Sequence, residues 1–194
     1  NMVEEAYPGD VIGLYDRGDF KIGDTLTEGE ELTFHGIPSF SPELFKEVVN
    51  TDPLRYKQLE SGIRQLTEEG VAQLFVQNSG RRRIVGAVGA LQFDIIQHRL
   101  VHEYGAACRM ETLPYARACW ITSPDPAAIA RFRRLHEAEI ATDREGKLVY
   151  LSESEWSLRG VMERYPEVDF HFTSELEGSE GRSGRPQWQA AGGG

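Results

Sequence analysis

The stretch Ile84–Gly105, IVGAVGALQFDIIQHRLVHEYG, contains a change of period that decides how the rest of the chain is read. Ile84 to Val88 is short, apolar and β-branched, the pattern of a buried strand. From Phe93 the apolar residues Phe93, Ile96, Leu100 and Tyr104 recur at steps of three, four and four, which is one stripe of an α-helix. Gly86 and Gly89 stand where a turn or a close backbone approach is wanted, and Gly105 follows the stripe as a stop signal. The stretch is a strand-to-helix junction, in which Gly86 and Gly89 are expected to serve packing against a helix.

Working outward, Leu44 to Val49 reads as a strand, and Asp52-Pro53 then opens a helix with a capping side chain and a proline in the first turn. Leu59, Ile63 and Leu66 mark that helix, which ends near Gly70. Val71 to Val76 and Arg83 to Val88 read as strands around the turn Asn78-Ser79-Gly80, and Cys108 to Leu113 reads as a strand after the second helix. The order is βαββαβ, the split βαβ or ferredoxin-like pattern, and the fold class is α+β. A strand-helix-strand-helix-strand extension follows: Ala116 to Thr122, Pro126 to about Glu139, Leu148 to Leu151, a helix capped by Ser152 or Ser154 with Leu158, Val161, Met162 and Tyr165 on one face, and Val168 to Phe172.

Residues 1–36 carry a different grammar. Turn signals at Pro8-Gly9-Asp10, Asp16 to Asp19 and Gly23-Asp24 separate the short strands Val11 to Leu14 and Phe20 to Ile22. So little apolar residue content cannot form its own core, so residues 1–37 are expected to be the end of a β-barrel whose other strands are absent, and the chain a fragment. Residues 38–175 form the α+β domain, and the glycine-rich run 176–194, with Trp188 its only large apolar residue, is expected to be a disordered or loosely attached tail.

The chain has 194 residues and a net charge of −10, of which residues 1–36 carry −7, with nine acidic side chains against Arg17 and Lys21. An acidic total argues against a stand-alone nucleic-acid binder, although local basic clusters can still touch RNA within an assembly. No apolar run approaches a bilayer's thickness and the acidic N-terminus lacks signal-peptide features, so the expectation is a soluble cytoplasmic protein without membrane partners. Cys108 and Cys119 form no CxxC pair and are expected to be buried thiols.

Catalytic, cofactor and metal motifs are not found. GxxxxGK[ST] is absent, and the VGAVG run lacks the third glycine and acidic partner of a dinucleotide site. His98 and His102 lie four apart on one helix but without the glutamate of HExxH, which favours a solvated face over a metal site. Two basic clusters, Arg81-Arg82-Arg83 and Arg131, Arg133 and Arg134, are candidates for phosphate contact; the competing reading is a solvated surface with the helical arginines paired to Glu137 and Glu139. Base stacking of the RNA-recognition-motif type is disfavoured, because Arg83 to Val88 offers Ile and Val where aromatics are needed.

VEEAYPGDVIGLYDRGDFKIGDTL, beginning at Val3, resembles the end of the second, β-barrel domain of translational GTPases. FHGIPSFSPELFKEVV from Phe34, LTEEGVAQLF from Leu66, VGAVGALQFDIIQHRLVHEYG from Val85 and ERYPEVDFHFTSE from Glu163 together resemble the bacterial peptide chain release factor 3 family, over roughly Val3 to Glu175. Elongation factor G is similar but has Gly-Glu-Leu-His where this chain has Gly89-Ala90-Leu91-Gln92. The resemblance implies a C-terminal segment that docks on the ribosome, through ribosomal RNA and proteins, within a GTP-dependent factor removing class I release factors after peptide release. GTP and magnesium would then bind an N-terminal domain absent here, and the chain itself would be no enzyme. The alternatives are a segment of another translational GTPase, or a small-ligand or metal-binding regulator using His98 and His102.

Overall fold

A computed structural model describes residues 5–13, 15, 26–29 and 41–174. The twelve elements that position the surface are β1 (Leu44–Asn50), α1 (Tyr56–Glu68), β2 (Gln73–Gln77), β3 (Arg83–Ala87), α2 (Ala90–His102), β4 (Cys108–Thr112), β5 (Arg117–Thr122), α3 (Pro126–Leu135), β6 (Ile140–Thr142), β7 (Leu148–Ser152), α4 (Glu155–Arg164) and β8 (Asp169–His171). A short 3-10 turn, Pro53–Arg55, precedes α1, and the Asp52 carboxylate accepts from Leu54 N at 3.0 Å to start it. At the N-terminal end, the Pro8-Gly9 turn is closed by Asp10 N donating to Tyr7 O at 2.9 Å, while residues 11–13 join no strand. Most of the expected barrel piece, and the tail from 175 onward, lie outside the described residues.

The α+β class and the first βαββαβ unit hold, and the extension contains one more strand than its sequence pattern indicates. Ile140–Thr142 pairs with both β2 and β7, so β5-α3-β6-β7-α4-β8 is a second βαββαβ unit. Helix α3 stops at Leu135, short of Glu139, because the chain needs those four residues to turn into β6. The sheet order β4-β1-β3-β2-β6-β7-β5-β8 gives 4-1-3-2 in each unit, joined edge to edge at β2 and β6. Val76 faces Thr142 and Gln77 faces Ala141 across this antiparallel seam, so neither unit leaves its β2 or β6 edge unpaired.

Strand alternation divides the apolar residues between three cores. Val48, Val85 and Ala87 point to α1 and α2, meeting Leu59, Ile63, Leu66, Phe93, Ile96 and Leu100. Cys119, Ile121 and Tyr150 point to α3 and α4, meeting Phe132 and Leu158. Among the described residues the opposite faces carry no helix: Phe45, Phe75 and Ile84 of the first unit pack directly on Ala118, Trp120, Val149 and Leu151 of the second. The sheet therefore curls until its two helix-free faces close on one another. Phe75 and Trp120 are 6.3 Å apart between ring centroids, and the Trp120 indole donates to Asp143 Oδ2 at 2.8 Å, so its buried N–H is satisfied. Ser41 bridges the far side of the curl, its N donating to Phe172 O at 3.0 Å and its Oγ accepting from Ala118 N at 3.0 Å.

The glycines serve different ends from those their spacing suggested. Gly86 faces the shared inner core, where an added Cβ would overlap Pro42 Cγ and come within 2.9 Å of Phe75; it packs against Pro42 and a strand residue and not against a helix. Gly89 is the N-cap of α2, with open space around it, and the Gln92 side-chain oxygen accepts from both Val88 N at 2.9 Å and Gly89 N at 3.1 Å. Gly62 supplies the close helix approach: its missing Cβ is replaced by Leu100 and Tyr104 where α1 crosses α2.

Gly86→Ala should destabilise the protein by about 1–3 kcal/mol through overpacking. Gly160→Ala, in α4 with no heavy atom near the added methyl, should stabilise by about 0.5–1 kcal/mol through backbone entropy. Urea unfolding midpoints of the two variants, shifted in opposite directions from the parent, check both.

Candidate functional site

Closure of the inner core removes one class of site. Phe45, Phe75 and Trp120 lie on the helix-free faces, the surface an RNA recognition motif uses for base stacking, yet they are 2%, 0% and 1% exposed. Recognition must therefore use the outer, helix-bearing side or the ends of the sheet.

On that outer side a groove of about 520 Å³ runs over the seam, with Leu74 and Val76 of β2 as part of its floor. Helix α1 forms one wall with Lys57, Glu60, Ser61 and Arg64, which lie on one face at helical spacing. Arg81 enters from the β2–β3 turn and Arg83 from the start of β3, and Asp143 and Arg144 from the β6–β7 turn. Five cations thus face two carboxylates in a chain whose overall charge is −10. The local field is opposite in sign to the net charge, and the local field governs what approaches a cleft.

The structure separates the members of each basic cluster. Arg82 binds Glu47, with Nε 2.7 Å from Oε2, and this carboxylate raises the guanidinium's affinity for its proton. Arg83 pairs with Glu60, donates to Tyr56 Oη and lies 4.9 Å from the Tyr56 ring centroid. Arg81 is exposed without an ion pair among the described residues, at φ 51°, the one non-glycine there with a positive φ. On α3, Arg131 pairs with Glu167 in the loop before β8, not with Glu137 or Glu139. Arg133 and Arg134 are exposed and free of ion pairs among the described residues. The connection from α3 to β6 meets the end of β2 at the seam, where Gln77 Nε2 donates to Ala138 O and Asn78 N to Ile140 O at 3.2 Å. Two basic runs about fifty residues apart in sequence thereby approach the same end of the sheet.

Lys57, Arg64 and Arg144 are the groove residues that sequence reasoning missed. None of them belongs to a run of basic residues; only the 57–64 spacing on one helix face hinted that two of them act together. Arg144 is placed by donating to Thr67 O at 3.4 Å.

The remaining candidates offer no activated group. His98 and His102 are exposed with ring centroids 4.3 Å apart, and among the described residues no three His, Cys, Asp or Glu side chains gather as a metal site. Burial pushes the Cys119 thiol up to about 12 and raises that of Cys108, the opposite of what a nucleophilic thiolate needs. No described helix is long and apolar enough to cross a membrane.

His136, at the joint between α3 and β6, stacks on Phe132 at 4.5 Å and meets Tyr150 and Tyr165 edge-on. Burial lowers its pKa, against the partial support of Glu139 and with the further push of Arg164. The folded state therefore favours the neutral ring, while the unfolded chain accepts a proton near the ordinary value of 6.5. The resulting stabilisation is complete above that value and is lost as pH falls from it through the lowered folded-state value. Urea midpoints should drop between neutral and mildly acidic pH, and His136→Phe should flatten that part of the profile; an equal drop in the variant would contradict the assignment.

Residues 34–162 match the family model described as class II release factor RF3, C-terminal domain. The match runs from the segment before β1 into α4, and so spans the seam, the groove and both basic clusters.

Proposed function

The chain belongs to the class II release factor RF3 C-terminal domain family, and we propose that it is the ribosome-docking segment of peptide chain release factor 3. Family membership places it in protein biosynthesis, at translation termination. The finer reading is that the segment holds a GTP-dependent factor on the ribosome while that factor promotes departure of a class I release factor after peptide release. The basic groove carries this reading: a cationic surface on an acidic protein suits a partner with a dense anionic field.

Magnitudes explain why the docking surface is spread out. A solvent-exposed ion contact contributes only about 0–1 kcal/mol, so no single arginine can hold a large particle. Several cations fixed by a rigid sheet act together at little cost in conformational entropy. Arg82, Arg83 and Arg131 spend their charge on Glu47, Glu60 and Glu167. Arg81, Arg133 and Arg134 remain as the contacts from the two clusters.

GTP and magnesium fit none of these residues. The sequence has no P-loop lysine and glycine pattern, so in this proposal nucleotide chemistry belongs to a domain outside the chain, and the cytoplasmic location follows from the ribosomal role. Docking through this segment would couple the nucleotide state elsewhere to the ribosome by rigid-body movement, with no bond-making step here.

Arg81→Glu and the pair Arg133→Glu with Arg134→Glu, placed in the full-length factor, should each weaken ribosome binding at physiological salt by about tenfold, or ~1.4 kcal/mol. Each should also slow class I factor turnover, while leaving GTP affinity unchanged. Pelleting assays give the first quantity and a release-factor recycling assay the second; unchanged binding would remove that cluster from the docking surface.

A further inference from the structure

We propose that the groove over the β2–β6 seam seats an RNA phosphate backbone, gripped by Lys57, Arg64 and Arg81; this builds on the ribosomal reading above and names the chemistry of that docking. Three observations carry it. First, Lys57 and Arg64 stand about 10 Å apart along one face of α1, both exposed and free of ion pairs among the described residues, with Ser61 between them as a hydroxyl donor. Arg81 faces them from the β2–β3 turn and Arg144, held at Thr67 O, adds fixed positive charge, while the charge of Arg83 is offset by Glu60.

Second, Arg81 holds a left-handed backbone, φ 51°, that glycine or asparagine would adopt with less strain. The turn thus keeps a cation at a position where its conformation favours another residue. Third, among the described residues no aromatic side chain lines the groove, and the inner aromatic faces are sealed. A stacking platform for single-stranded bases is missing, so the site reads charge and backbone shape and is indifferent to sequence. An acidic protein segment is the competing occupant, but protein hot spots need a deep apolar or aromatic anchor, and the groove offers only Ile63, Leu74 and Val76 beneath its charges.

The test is titration of the full 194-residue chain into a labelled RNA duplex of mixed sequence, with affinity followed across a salt series. Wild-type binding should weaken steeply with salt. The triple variant Lys57→Gln, Arg64→Gln, Arg81→Gln should lose about tenfold or more in affinity and shed roughly two from the log–log salt slope, since each neutralised phosphate contributes roughly 0.7–0.9. Ser61→Lys, which adds a cation to the same wall, should tighten binding and steepen the slope, whereas Arg109→Gln on β4 should change neither. A triple variant with wild-type affinity and slope overturns the proposal. So does competition by poly-glutamate equal to that by RNA at matched charge, which assigns the groove to an acidic protein. Failure of the chain to bind the duplex while the full-length factor still docks on ribosomes overturns the RNA seat and leaves the docking role standing; loss of docking by the wild-type full-length factor would remove the role itself.

Discussion

The packing of Phe75 on Trp120 joins two βαββαβ units that could not otherwise cover their sheets. Each unit has helices on one face only, and its other face carries large apolar side chains that water would meet if the unit stood alone. Burying a side chain of that size contributes roughly 1.5–3 kcal/mol, and the inner core holds several from each unit. Curling the sheet so that these faces meet solves both exposures at once. The β2–β6 seam is the hinge line of that curl, and its hydrogen bonds remove two strand edges as well.

Function follows from what this closure leaves outside. With the inner faces sealed, the seam presents its outer side between the helix layers, and the turns at its ends bring Arg81 and Arg144 towards α1. The same alternation that builds the core sorts the arginines. In the run Arg81-Arg82-Arg83, the last two point to opposite sides of the sheet, one to Glu47 and one to Glu60, while the first sits in the turn. A triple of like charges is thereby reduced to one available cation, which gains its companions from α1 and the β6–β7 turn.

Much of this was legible in the sequence and some could not be. The stripes of α1 and α2, the Asp52 cap and the βαββαβ order of the first unit follow from period and capping chemistry alone. Strand β6 was hidden because three residues are too few to show alternation. Nothing local reveals the curl either, since Phe75 and Trp120 are far apart in sequence and each looks like an ordinary core residue. Gly86 was recognised as a close-approach glycine, but its neighbour Pro42 belongs to a segment whose role appears only when the sheet closes. For the site, charge runs located Arg81 and Arg83; Lys57, Arg64 and Arg144 required the third dimension.

The central claim is that the two units are one cooperative structure because they share the inner core. Native-state hydrogen exchange on Phe75→Ala tests it most directly, since the cavity lies in the first unit and the consequence is read in the second. The account predicts that the protected amides of β5 and β7 accelerate by the same factor as those of β1 and β3, as one unfolding unit requires. Acceleration confined to β1 and β3, with β5 and β7 exchanging as in the parent, would show two independent domains and contradict it.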